Sequence, residues 1–241
     1  MRMTQTVLIN GQDVNQDKLV TNKALLELCS NITMYEGFLC GHTTNEGASP
    51  VSWMVMGWKM KVFRHLKMFR KIRVETWVQS YTRVRLLRNY AMYDEEGTVI
   101  AIAAGEWVAV DGEKGTFLRI TPELLAAFEI LEEKNNFPGY KFPDVRTLEA
   151  ADVPVTAAKL VTPGLQMADY NGHVHNSEYL NLAAEICPQA QTCGEIEIIY
   201  RTQILPGKEV LIELTGDDGK QKAAIRNPED HSLHAIVILS H

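Results

Sequence analysis

The stretch that decides the fold is Asp169-Tyr170-Asn171-Gly172-His173-Val174-His175-Asn176-Ser177-Glu178-Tyr179-Leu180-Asn181-Leu182-Ala183-Ala184-Glu185-Ile186. It opens with the densest polar cluster in the chain, built from residue types that make turns and cap helices. From Asn176 the pattern changes. Tyr179, Leu180, Leu182, Ala183 and Ile186 form a broad apolar face, which predicts a helix from 176 to about 186. Strand-like runs joined by short turns lie on both sides of it, at 155–161, 195–204, 209–215, 221–226 and 232–239. A helix with so wide an apolar face among so many strands is one that its sheet wraps.

Working outward, the first half repeats this order. A strand-like run at 6–10 precedes a helical stretch from 21 to about 29, with Leu25, Leu26 and Cys29 on one face and Thr21 or Asn22 as its cap. After a polar loop at 41–50 come strand-like runs at 53–63, 72–83, 86–93 and 99–110, separated by turn signals such as Asp94-Glu95-Glu96-Gly97 and Asp111-Gly112. A short helix is expected at 122–133, followed by a linker marked by Asn135-Asn136-Phe137-Pro138-Gly139 and Pro143. The expected organisation is a first unit at 1–135, a linker at 136–150 and a second unit at 151–241, alike in architecture with little residue identity. Periodicity alone carries this to an α+β fold; two tandem helices, each embraced by an antiparallel sheet, are permitted by it and not forced.

The chain has 241 residues, 46% hydrophobic and 22% charged, the composition of a folded globular protein. Nothing in MRMTQTVLINGQDV reads as a secretory signal, and no run approaches the roughly 20 apolar residues of a membrane span, so a soluble cytoplasmic protein is expected. Four cysteines, Cys29, Cys40, Cys187 and Cys193, form no paired CxxC motifs and are read as reduced thiols. The net charge of −6 argues against a nucleic-acid partner. Against that total, Lys59, Lys61, Arg64, Lys67, Arg70, Lys71 and Arg73 follow one another with no acid among them. This run is either a solvated face or a docking surface for an acidic partner.

The polar cluster ahead of the second helix resembles a known motif. Acyl-acyl carrier protein (acyl-ACP) thioesterases of the bacterial type carry Asp-x-Asn-x-His-Val-Asn-Asn-x-x-Tyr there, and this chain agrees at Asp169, Asn171, His173, Val174, Asn176 and Tyr179. It departs at His175, where the family usually has Asn. Trp53-Met54-Val55, Glu75-Thr76-Trp77, Trp107-Val108-Ala109-Val110-Asp111 and Arg119-Ile120-Thr121-Pro122 resemble first-domain segments of the same family in the same order. The resemblance implies a tandem (double) hotdog fold and hydrolysis of a fatty acyl thioester to free fatty acid and holo-ACP. It implies no cofactor and no metal, with the first domain supplying much of the acyl pocket. An acyl-CoA thioesterase of the hotdog superfamily, and an acyl-binding protein with weak turnover, are the alternatives.

The residue types suit that chemistry. Thioester hydrolysis needs a positioned water, a proton acceptor, and dipoles aimed at the carbonyl oxygen as it becomes an oxyanion. His173 can accept a proton near neutral pH, Asn171 can hold the water or the carbonyl, and Asp169 can orient the imidazole. Backbone N–H groups near Asn176, at the start of the helix, can polarise the carbonyl. A purely structural reading also exists, in which Asp, Asn and Gly make a turn and a cap; His173 with His175 as a metal pair finds no supporting Cys or carboxylate cluster.

The resemblance weakens at a fourth position. Family members place a Glu, proposed as general base, followed by Cys after Tyr-Arg-Arg; here Tyr200-Arg201-Thr202-Gln203-Ile204 puts Gln203 and Ile204 at those places. An isoleucine cannot be a thiolate nucleophile, and an amide can bind a water without taking its proton. That leaves His173, or His175, as the base. The family's carrier makes ACP docking the functional reading of the basic run, at Lys67, Arg70, Lys71 and Arg73. Whether the chain forms a homodimer stays open in the sequence. Cys187 and Cys193 lack a basic neighbour, and neither Gly-x-Ser-x-Gly nor a glycine-rich nucleotide loop is present.

Overall fold

The computed structural model describes residues 3–46, 49–149, 153–217 and 219–240. In chain order the first half comprises β1 (Met3–Leu8), α1 (Asn22–Leu39), β2 (Val51–Val62), β3 (Lys71–Tyr81), β4 (Leu86–Tyr93) and β5 (Val99–Asp111). A short helix, α2 (Val145–Glu149), leads to β6 (Val155–Val161), α3 (Tyr179–Ala184), β7 (Glu195–Tyr200), β8 (Val210–Gly216), β9 (Lys220–Arg226) and β10 (Leu233–Ser240). The expected boundary between linker and second unit, at 150 and 151, lies outside the described residues.

All ten strands form one antiparallel sheet in the order β1-β3-β4-β5-β2-β7-β10-β9-β8-β6. The two halves meet edge to edge, β2 against β7, from Gly57 opposite Ile199 to Lys61 opposite Glu195. Each half curls around its own helix, which is the hotdog arrangement expected.

Helix α1 starts where Thr21, in extended backbone, accepts the N–H of Ala24 on its hydroxyl at 3.2 Å. It runs ten residues beyond the expected end. Leu25, Leu26, Cys29 and Ile32 repeat at helical spacing and are fully buried against the concave sheet face. Each large aliphatic side chain so placed contributes about 1.5–3 kcal/mol. The continuation carries exposed Met34, Tyr35, Phe38 and Leu39, which blurs the amphipathic pattern.

Two expectations are corrected. The second helix is short: a 3-10 turn over Asn176–Glu178, then six helical residues. Pro188 follows Cys187 and disfavours the helical conformation there, so the chain passes into another 3-10 turn at Pro188–Gln191. The segment 122–133 is not a helix but a series of turns lying along β3. There Val78 donates its N–H to Glu129 O at 3.0 Å and accepts from Leu131 N–H at 2.9 Å, diverting the backbone groups a helix would use.

The segment expected as a linker packs over the seam. Phe142 crosses β2 at Gly57, where a Cβ would lie 2.9 Å from its ring and 3.0 Å from Ile198 O, so only glycine fits. Beside it Lys59, buried in the sheet, pairs with Glu195 and with Glu197 at 2.7 Å, while Tyr140 donates to Glu197 at 3.0 Å. No helix of the described residues is long and apolar enough to cross a membrane.

Candidate active site

The cluster 169–176 folds as a tight loop whose shape is set by Asp169. Its Oδ1 accepts the N–H groups of Asn171 at 2.8 Å and His173 at 3.1 Å, and its backbone N–H donates to His173 O at 2.8 Å. Gly172 closes the turn at φ +77°, a conformation that disfavours other residues. Asp169 therefore shapes the loop backbone; the hydrogen bonds of the described residues do not join its carboxylate to the imidazole of His173. The His173 ring, half-buried, has no polar partner among the described residues, and the exposed side chain of Asn171 has none either.

The loop is tied to the segment that carries Gln203. Val174, 4% exposed, donates its N–H to Ile204 O at 2.9 Å, and Ile204 is itself buried. Gln203 precedes that anchor and is exposed, its amide without a partner among the described residues. That backbone bond sets the loop of Asp169, Asn171 and His173 next to the segment of Gln203.

His175 caps the 3-10 turn. Its Nδ1 lies 2.9 Å from Ser177 Oγ and 3.3 Å from the Ser177 N–H, and its backbone carbonyl takes the N–H of Glu178 at 2.9 Å. Burial pushes its pKa below the ordinary imidazole value and favours the neutral ring. These contacts engage the N–H groups of Ser177 and Glu178, two of the backbone donors beside Asn176.

Asn176 joins the halves. Its Oδ1 accepts from Ser30 Oγ of α1 at 3.1 Å and from Trp58 Nε1 of β2 at 3.2 Å, and its carbonyl accepts from the Tyr200 hydroxyl at 2.6 Å. The indole is only a donor, which fixes the amide with its oxygen toward Trp58 and its nitrogen toward His175 Nε2, 3.4 Å away. Close by, Lys23 of α1 pairs with Glu178 at 3.0 Å. Nothing local in the sequence marks Ser30 or Trp58, and Tyr200, the first residue of the Gln203 motif, carries no role there.

The basic run is largely neutralised. Arg70 binds Glu95 at 2.6 Å and Glu96 at 2.9 Å, Arg64 pairs with Asp94, and Arg73 pairs with Glu75 while lying over the Tyr93 ring. Lys67 donates to Asp17 O at 2.9 Å, and Lys71 stands exposed at the start of β3. No group of three or more His, Cys, Asp or Glu side chains suited to a metal occurs among the described residues.

Known proteins resemble this chain along its length. The model of the acyl-ACP thioesterase N-terminal domain matches residues 2–128. Oleoyl-acyl carrier protein thioesterase 2, chloroplastic, of Arabidopsis thaliana is 22% identical over 95% of this chain and 70% of its own. An acyl-ACP thioesterase from Bacteroides thetaiotaomicron superposes with a TM-score of 0.80 at 16% identity, over 98% of this chain and 96% of that one. The 12:0-ACP thioesterase from Umbellularia californica gives 0.78 at 15% identity, over 99% and 96%. At such identities these structures establish the fold.

Proposed function

The chain belongs to the acyl-ACP thioesterase family, and on that premise we propose that it releases fatty acids from acyl carrier protein at the surface bordered by His173, Asn171 and Gln203. The family's members are thioester hydrolases, and the reaction is attack of water on the acyl carbonyl. A C–O bond forms, the C–S bond breaks, and the water's proton passes through a base to the departing thiolate sulfur.

His173 is the base in this reading. Its imidazole is accessible and has no polar partner among the described residues, whereas His175 is spent on capping. Asn171 and Gln203 supply amides that orient the water and donate to the oxyanion. Asp169 acts through the loop backbone, and Asn176 through its clamp to Ser30, Trp58 and Tyr200. The observation that carries the assignment is the bond from Val174 to Ile204, which brings the Gln203 segment beside the His173 loop.

The acyl chain is taken up between α1 and the sheet of the first half, reached past Trp58. The two units, 1–135 and 151–241, then divide the work between acyl binding and chemistry. Lys67 and Lys71, with Arg70 and Arg73 exchanging their acidic partners, meet the acidic carrier. The deciding experiment is a hydrolysis assay comparing acyl-ACP with acyl-CoA over a range of chain lengths. Faster turnover of acyl-ACP supports the reading, and turnover of acyl-CoA alone replaces the carrier.

A further inference from the structure

A fully buried ion pair lies inside the first half, where the sheet faces α1. Arg88 of β4 is 1% exposed and Glu36 of α1 is 6% exposed; they pair directly, and Arg88 Nη1 also donates to Thr76 Oγ1 at 3.2 Å. The guanidinium lies over the Phe128 ring at 4.9 Å. Its Nε–H has no acceptor among the described residues. Arg88 lines a small cavity with Thr33, Trp53, Leu86, Trp107 and Phe128, with room for about one water molecule, which such an orphan donor would hold.

A continuous line of side chains runs from this cavity to the candidate active site. Trp107 packs edge-to-face on Trp58 with ring centroids 5.4 Å apart, and Trp58 in turn donates to Asn176. The side chains between are mainly aromatic, Thr33 being bound through its hydroxyl to that of Tyr90 at 2.7 Å, and the charged groups at the far end are Arg88 and Glu36. An apolar chain end pushed to that depth would fill the cavity and leave the Arg88 Nε–H with no acceptor at all, protein or water.

We propose that the Arg88–Glu36 pair is a polar floor that ends the acyl site and sets the longest chain the enzyme accepts. This rests on the thioesterase reading above. Stability does not require a buried pair here, because apolar replacement of both partners of such a pair is often neutral or stabilising, whereas removal of one strands the other.

The test is the chain-length profile of kcat/KM on acyl-ACP for three proteins: wild type, the apolar double variant Arg88→Met with Glu36→Leu, and the polar double variant Arg88→Gln with Glu36→Gln. Thermal unfolding of each is measured alongside. The apolar variant should accept chains two carbons beyond the wild-type limit at least about tenfold better, since each newly buried methylene is worth about fourfold. Shorter chains should be hydrolysed as before, and the polar variant should keep the wild-type limit. A folded apolar variant with an unchanged profile overturns the floor, as does a polar variant that lengthens the limit equally. Absence of hydrolysis by the wild type at every length overturns the thioesterase reading instead.

Discussion

Trp58 and Asn176, 118 residues apart, are joined by one hydrogen bond at 3.2 Å that runs from the first half's sheet to the first turn after the 169–175 loop. The loop's position is therefore set by the other half of the molecule. Trp58→Phe removes the donor while Ser30 still serves the same oxygen, so it should lower stability by about 1 kcal/mol, the scale of one hydrogen bond. Ser30→Ala in addition should cost more than the sum of the two single changes, because Asn176 Oδ1 is then buried without a donor. Denaturant unfolding of the single and double variants gives the comparison; strict additivity would mean that the clamp is not one unit.

His173→Ala should reduce hydrolysis by about a hundredfold or more, the scale for losing an acid–base group, with an unchanged unfolding midpoint. Full turnover in the folded variant removes His173 from the mechanism. Gln203→Ala should lose about 1–3 kcal/mol of transition-state stabilisation, since the amide only orients water. If wild-type turnover is low, Gln203→Glu should raise it, with a rate that climbs as pH passes the carboxylate's pKa.

Burial depresses the pKa of His175, and the same holds for His42 and His65. Between the depressed folded values and the unfolded value of about 6.5, the unfolded chain binds more protons. The stability contributed by these neutral rings is thus complete above about pH 6.5 and falls as pH drops through the folded values. His175→Asn keeps a good cap and removes one titrating ring, so its unfolding midpoint should fall less steeply on acidification. Identical slopes for variant and wild type would show that His175 does not take part.

Reversing Lys67 and Lys71 to Glu should raise KM for acyl-ACP several-fold at low salt, with a smaller effect at high salt. Hydrolysis of a short acyl thioester lacking the carrier should be unaffected. Equal KM values at every ionic strength would place docking elsewhere.

Legibility in the sequence followed how local each determinant is. The strand β4, with its clear run from Leu86 to Tyr93 closed by Asp94-Glu95-Glu96-Gly97, and β6, set between Pro154 and Pro163-Gly164, could be placed to the residue. The segment holding Leu124, Leu125 and Phe128 mimics a helical stripe, yet a neighbouring strand takes its backbone groups, a competition that no local pattern records. The charge run looked unopposed because its acids, Asp94, Glu95 and Glu96, come from the next hairpin. Of the site, the loop residues 169–176 could be read directly. Their fixing by Ser30, Trp58 and Tyr200 depends on contacts across the fold.

The seam between β2 and β7 has a consequence for how the chain could be divided. Cutting at the connecting segment would bare the flank of β2 around Trp58 and Met60 in one fragment and that of β7 around Ile196 and Ile198 in the other. Both are central strands whose seam charges are complementary, Lys59 and Lys61 on one against Glu195 and Glu197 on the other, so each bared edge would be left with unpaired backbone groups and unmatched charges. The two halves are thus obliged to fold as partners. Separated, each half would expose a full strand edge instead of folding as an independent piece.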